Sequence, residues 1–136
     1  MSALVIDASA AASWMLPSQM TESADALALR IDEFELFAPY IFCWEIGNLL
    51  VRQAGRGLPI EFGRAVLDDL AIACLGAPTP SAVLGKVLEG AHGVGLSLFD
   101  SAYLALALDL DAPLVTRDAR LIKAAELTGA PFIDLR

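Results

Sequence analysis

The sequence predicts an α/β fold built on a mainly parallel sheet. Short apolar runs recur at Ala3–Asp7, Glu35–Ala38, Pro113–Thr116 and Pro131–Leu135, and helical periodicity fills the intervals between them. Strands separated by helices are joined by crossovers, which bring them parallel. A chain of 136 residues is one domain, residues 1–136, long enough to bury a core. Its 57% hydrophobic content and mean hydropathy of +0.60 exceed those of an average soluble domain. Strands covered on both faces, or a surface given to a partner, would account for that excess.

Taken in order, Ala3–Asp7 reads as a buried strand. Ser9 begins a short helix through Trp14, stopped by Pro17. Thr21 is an N-cap for a helix from Glu22 to about Ile31, with Ala24, Leu27 and Ile31 on one face. Glu35–Ala38 is a second strand. Pro39 opens a helix from Tyr40 to about Gln53, ended by Gly55 and Gly57. Pro59 opens another, from Ile60 to about Ala73. Leu75–Pro80 fits a short strand or an extended connection. Ser81 to about Ala91 reads as helical, broken by Gly93-Val94-Gly95. Leu98–Leu110 is a strongly apolar helix, Pro113–Thr116 a strand, Ala119–Leu127 a helix ended by Gly129, and Pro131–Leu135 a last strand. The chain carries no repeat, linker or low-complexity tract.

Several function classes fall away on composition. Toward the C-terminal half the longest uncharged apolar stretch, Ser101–Leu108, is far below the roughly 18–20 residues of a membrane span. The N-terminus lacks the basic region and cleavage site of a secretory signal. Cys43 and Cys74 read as reduced core residues, which leads us to expect a cytoplasmic protein. His92 is the single histidine and suits a helix end; Ser-His-Asp, Cys-His and histidine-rich zinc chemistries are therefore disfavoured. Gly90, Gly93 and Gly95 follow a helix and lack the lysine of a phosphate loop. A net charge of −8 opposes non-specific nucleic-acid binding, although Arg52 with Arg56, and Arg117, Arg120 with Lys123, form two local basic groups.

What remains is a set of acids in apolar settings: Asp7, Glu45, Asp100 and Asp118. Carboxylates are rarely buried without compensation, and no run of Lys or Arg lies beside them. Ligands of parallel sheets bind beyond the carboxyl ends of the strands, where Asp7 and Asp118 fall. Asp7 and Asp118 also fit as helix N-caps, and Asp100 as a first-turn acid favoured by the helix dipole. Glu45 resists such a reading, because its neighbours Phe42, Trp44, Ile46 and Leu49 are apolar; Asn48 shares its face. A shared site for a hard divalent cation, Mg²⁺ or Mn²⁺, accounts for all four acids together. Such a site suits phosphodiester hydrolysis, in which the cation activates water, orients the phosphate and stabilises the leaving oxygen.

Four segments then resemble the PIN-domain family, and more narrowly its VapC-type ribonuclease toxins. They are Val5-Ile6-Asp7-Ala8-Ser9, Trp44-Glu45-Ile46-Gly47-Asn48-Leu49-Leu50, the stretch from Leu98-Phe99-Asp100 to Ala107, and Leu114-Val115-Thr116-Arg117-Asp118. The resemblance covers essentially the whole chain. It implies a three-layer α/β/α sandwich and a Mg²⁺- or Mn²⁺-dependent endoribonuclease whose acidic cluster is Asp7, Glu45, Asp100 and Asp118. Ser9, Asn48 and Thr116 resemble the family's supporting polar residues. Such toxins cut RNA, dimerise, and are neutralised by a cognate antitoxin that often carries the DNA-binding part, so any link to DNA is indirect. Arg117 and Arg120 would contact RNA phosphates. Trp14, Met15, Leu27 and Leu29 could serve a partner surface, although ordinary core packing explains each one as well. A PIN-type nuclease outside any toxin–antitoxin pair and a non-catalytic metal- or partner-binding relative are the alternatives.

Overall fold

Among the described residues, five strands form one sheet. They are β1 (Ser2–Ile6), β2 (Phe34–Pro39), β3 (Ala73–Leu75), β4 (Leu114–Thr116) and β5 (Phe132–Asp134). Their order is β3-β2-β1-β4-β5 and every pairing is parallel. The computed structural model describes residues 1–76, 81, 85 and 87–136. Seven α-helices flank the sheet in this part of the chain: α1 (Ala8–Met15), α2 (Glu22–Ala28), α3 (Ile41–Gly55), α4 (Glu61–Leu70), α5 (Leu88–Val94), α6 (Leu98–Leu110) and α7 (Ala119–Thr128). α1 packs with α2, α3 and α4; α6 packs with α5 and α7 and crosses β1, β2 and β4. The result is a three-layer α/β/α sandwich.

β1 is central because it can be buried on both faces. Leu4, Val5 and Ile6 are successive and all buried, as are Leu114 and Val115 of β4 beside them. An unbroken apolar run is what a strand covered by helices on both sides requires. The register pairs Val5 with Leu114 and Ile6 with Val115. The next residues along the two strands, Asp7 and Thr116, therefore emerge side by side at the carboxyl end. Sheet order reverses between β1 and β4, and a parallel sheet opens a crevice at such a switch point.

The expected elements are largely present, with instructive departures. The helix expected to reach Ile31 stops at Ala28, and Ile31 lies in a separate 3₁₀ turn over Ile31–Glu33. The helix expected to run from Ile60 to Ala73 ends at Leu70, and Ala73–Leu75 is β3, paired with Phe37–Pro39. Ala71 ends the helix in the left-handed conformation (φ 49°) without a glycine to announce it. The strand or connection expected over Leu75–Pro80 lies for the most part outside the described residues, as does much of the helix expected from Ser81. Its C-terminal part runs on through Gly93 and Val94 and stops only at Gly95, at φ 71°.

Cys43 is not a core residue as expected: it is exposed, and Cys74 is half-buried. The pairing of Ala38 with Cys74 lays β3 beside the first turn of α3, so the two free thiols meet at 3.0 Å between Sγ atoms. Burial, with Cys43 alongside, pushes the Cys74 thiol up to about 12. Gly63 lets α4 approach α3 and α1 closely, since a Cβ there would stand 2.8 Å from Leu50 Cδ2 and 3.1 Å from Met15 Cε. Among the described residues, no single helix is long and apolar enough to cross a membrane.

Candidate active site

The site begins with Asp7, which is 3% exposed at the end of β1. Its backbone N–H continues the sheet by donating to Val115 O at 3.1 Å. Its side chain caps α1, with Oδ1 accepting from Ala10 N–H at 2.8 Å. Ser9 Oγ donates to both carboxylate oxygens, at 2.8 and 3.0 Å, and Thr116 Oγ1 donates to Oδ2 at 2.6 Å. Of the two readings of Asp7 from the sequence, the N-cap is seen directly. All these donors are neutral. Burial outweighs them, and with Asp118 nearby it raises the Asp7 carboxyl from 3.8 to about 6.

Asp118 is fastened to the same wall. Its N–H donates to Thr116 Oγ1 at 2.9 Å, while its side chain caps α7 by accepting from Arg120 N–H at 2.8 Å. Thr116 is wholly buried and relays between the two aspartates. Ser9 Oγ lies 3.3 Å from Thr116 Oγ1 and accepts from Arg117 N–H at 2.9 Å. Both supporting hydroxyls named from the sequence therefore touch the acids or each other.

Glu45 and Asp100 form a second group. Glu45 is half-buried on α3, and Asp100 is half-buried in the first turn of α6, whose N-cap is Ser97. Burial raises the Glu45 carboxyl, a Tyr103 hydrogen bond opposes the shift, and the Asp100 charge adds to it. Asn48, one turn after Glu45, is exposed. Arg117 turns toward the 3₁₀ segment Pro17–Gln19, donating from Nη1 to Gln19 Oε1 at 3.1 Å, and its buried Nε has no hydrogen-bond partner among the described residues. Arg120 is exposed on α7.

Tyr103 is the site residue that sequence reading passed over. Its hydroxyl donates to Glu45 Oε1 at 2.5 Å. Burial and the adjacent Glu45 hold the phenol far above its ordinary range, so it remains a donor. The available signal was its place three residues after Asp100, on the same helical face.

The donor set is entirely oxygen, and among the described residues no ion pair involves any of the four acids. Uncompensated carboxylates, one nearly fully buried, are the chemistry that suits a hard divalent cation. As placed, no three acids among the described residues are grouped closely enough to enclose an ion. They stand as Asp7 with Asp118 and Glu45 with Asp100.

Comparison with known proteins decides the family. The PIN domain model matches residues 4–127. The chain belongs to the PIN-domain family. It is also similar to a protein named Ribonuclease VapC3 from Pyrobaculum aerophilum, 30% identical over 121 residues, covering 87% of this chain and 91% of the relative. In fold it resembles the crystal structure of PAE2754 from the same organism. That likeness has a TM-score of 0.64 at 22% identity and covers 97% of this chain and 91% of that one.

Proposed function

We propose that this PIN-domain protein is a Mg²⁺- or Mn²⁺-dependent endoribonuclease and the toxin of a toxin–antitoxin pair. The observation that carries the reading is Asp7: a buried carboxylate with no cationic partner among the described residues, beside Asp118 and at the switch point of the sheet, with Glu45 and Asp100 as a second acid pair. The family and the likeness to a ribonuclease of the VapC type support RNA as substrate. Asp7, Glu45, Asp100 and Asp118 would hold the cation, with Ser9, Thr116 and Asn48 in support. When bound, the cation supplies activation of water and offsets charge developing on the phosphodiester.

The chain's own residues prepare that chemistry. Ser9 and Thr116 orient the Asp7 oxygens, and Thr116 also fixes the backbone that presents Asp118. Burial beside the apolar sheet excludes water from behind Asp7. Arg120 is exposed on α7, where it could meet a phosphate, whereas Arg117 would have to leave Gln19 to do so. With so acidic a chain, these few cations are the expected source of any salt dependence of RNA binding.

A cognate antitoxin, a homodimer and a cytoplasmic location belong to the same reading. Met15 and Leu27 are core residues, Trp14 Nε1 donates to Ala24 O at 3.0 Å, and Leu29 is 89% exposed. A cleft lined by Trp14, Met20, Ile31, Val66 and Leu70 between α1, α2 and α4 suits an apolar segment of the antitoxin. The test is cleavage of RNA by purified protein with Mg²⁺ or Mn²⁺, stopped by EDTA and absent in Asp100→Asn. Undiminished cleavage by Asp100→Asn overturns the assignment. Growth arrest on expression, relieved by co-expressing a neighbouring antitoxin gene, tests the toxin role.

A further inference from the structure

Tyr103 links the helices that carry Asp100 and Glu45. It is 1% exposed, on the face of α6 that also carries Asp100. Its hydroxyl donates to Glu45 Oε1 at 2.5 Å, the length of a charge-assisted O–H···O⁻ bond. The Asp7 charge also acts on this phenol and raises it further. A phenol has a single proton, and in this bond it is given to Glu45. One hydroxyl thereby ties α6, which carries Asp100, to Glu45 on α3.

Glu45 has little else to hold it. It is half-buried, its flexible side chain has several rotamers to lose, and it makes no other hydrogen bond among the described residues. With Oε1 engaged by the phenol, Oε2 is the oxygen left for another partner. Phenylalanine would fill the space of the ring equally well, so packing alone does not account for the hydroxyl.

We propose that Tyr103 is the positioning residue of the acidic site, holding the Glu45 carboxylate in one orientation for cation binding. This rests on the cation-dependent reading above. Groups that orient metal ligands typically change metal affinity by about 10–100-fold when removed.

The test is Mn²⁺ binding, measured by the electron paramagnetic resonance of free Mn²⁺, on folded wild type and Tyr103→Phe. The variant is expected to bind roughly 10–100-fold more weakly. In a Glu45→Ala background the same change is expected to have no further effect. Wild-type affinity in Tyr103→Phe, or an equal loss in both backgrounds, overturns the proposal, because a merely structural tyrosine would not act through Glu45. Absence of Mn²⁺ binding by the wild type instead overturns the cation reading beneath it. Should Tyr103→Phe fail to fold, the wild-type hydroxyl proton decides by nuclear magnetic resonance. An exchange-protected, downfield signal that moves on adding Mg²⁺ supports the role, and a signal indifferent to Mg²⁺ overturns it.

Discussion

The two acid pairs are built differently. Asp7 and Asp118 sit on a wall made by the ends of adjacent strands, where Ser9, Thr116 and the backbone N–H groups of Ala10, Arg117, Asp118 and Arg120 fix every part. Glu45 and Asp100 sit on two helices, and the one side-chain tether seen there among the described residues is the Tyr103 hydroxyl on Glu45. The first wall is held by the sheet whether or not a cation is present. The second depends on a single bond and is the part a bound cation would organise. Preorganisation is thus concentrated where burial makes an unfixed carboxylate most costly.

The sharpest way to separate the walls is to neutralise one acid from each. Asp7→Asn and Glu45→Gln are both expected to reduce Mn²⁺-dependent RNA cleavage to background. Only Asp7→Asn is expected to raise the melting temperature in EDTA near neutral pH, because only Asp7 is nearly fully buried. Equal thermal shifts in the two variants would erase the distinction.

Next in size is a pH effect of Asp7 alone. Its folded pKa of about 6 exceeds the 3.8 of an ordinary Asp, so the folded chain holds the proton more tightly than the unfolded chain. The stabilisation is complete below about pH 4 and disappears as pH rises through about 6, a change of roughly 2–3 kcal/mol. Urea unfolding in EDTA measures it. Asp7→Asn should remove this component, and an unchanged pH profile in that variant would refute it.

Thr116→Val probes the relay. It deletes the donor to Asp7 Oδ2 and the acceptor of Asp118 N–H, so a loss of about 1–3 kcal/mol is expected in denaturant titrations. Smallest is Ser97→Ala, which removes the N-cap of α6 beneath Asp100, where Ser97 accepts from Asp100 N–H at 3.1 Å. About 1 kcal/mol is the expected cost, with the Asp7 wall undisturbed. Amide exchange at Asp118 that accelerates in Ser97→Ala would show the walls to be coupled.

Much of this was legible in the residues. The apolar run Leu4-Val5-Ile6 announces a strand covered on both faces, and the acids flanking β1 and β4 follow from where strands end. β3 was hidden because Leu70–Leu75 continues the apolar pattern of α4, and Ala71 makes the left-handed turn that glycine normally signals. The meeting of Cys43 with Cys74 depends on the β2–β3 register, which no local pattern encodes. Tyr103 escaped notice because an aromatic residue in an apolar helix looks like core. Its ring is core, and only the placement of its hydroxyl beside Glu45, 58 residues away in sequence, reveals a second duty.

The central position of β1 has a consequence for timing. β2 follows β1 closely and can pair with it early, but β4 is the partner that carries Thr116, 109 residues beyond Asp7. Contacts so distant along a chain form late and slowly. At roughly 5–20 residues per second of synthesis, the inner edge of β1 waits several seconds for its second neighbour. The Asp7 wall is therefore among the last parts of the molecule to come into existence. A growing chain, or one truncated before Thr116, has a half-sheet and three of the four acids but no assembled centre.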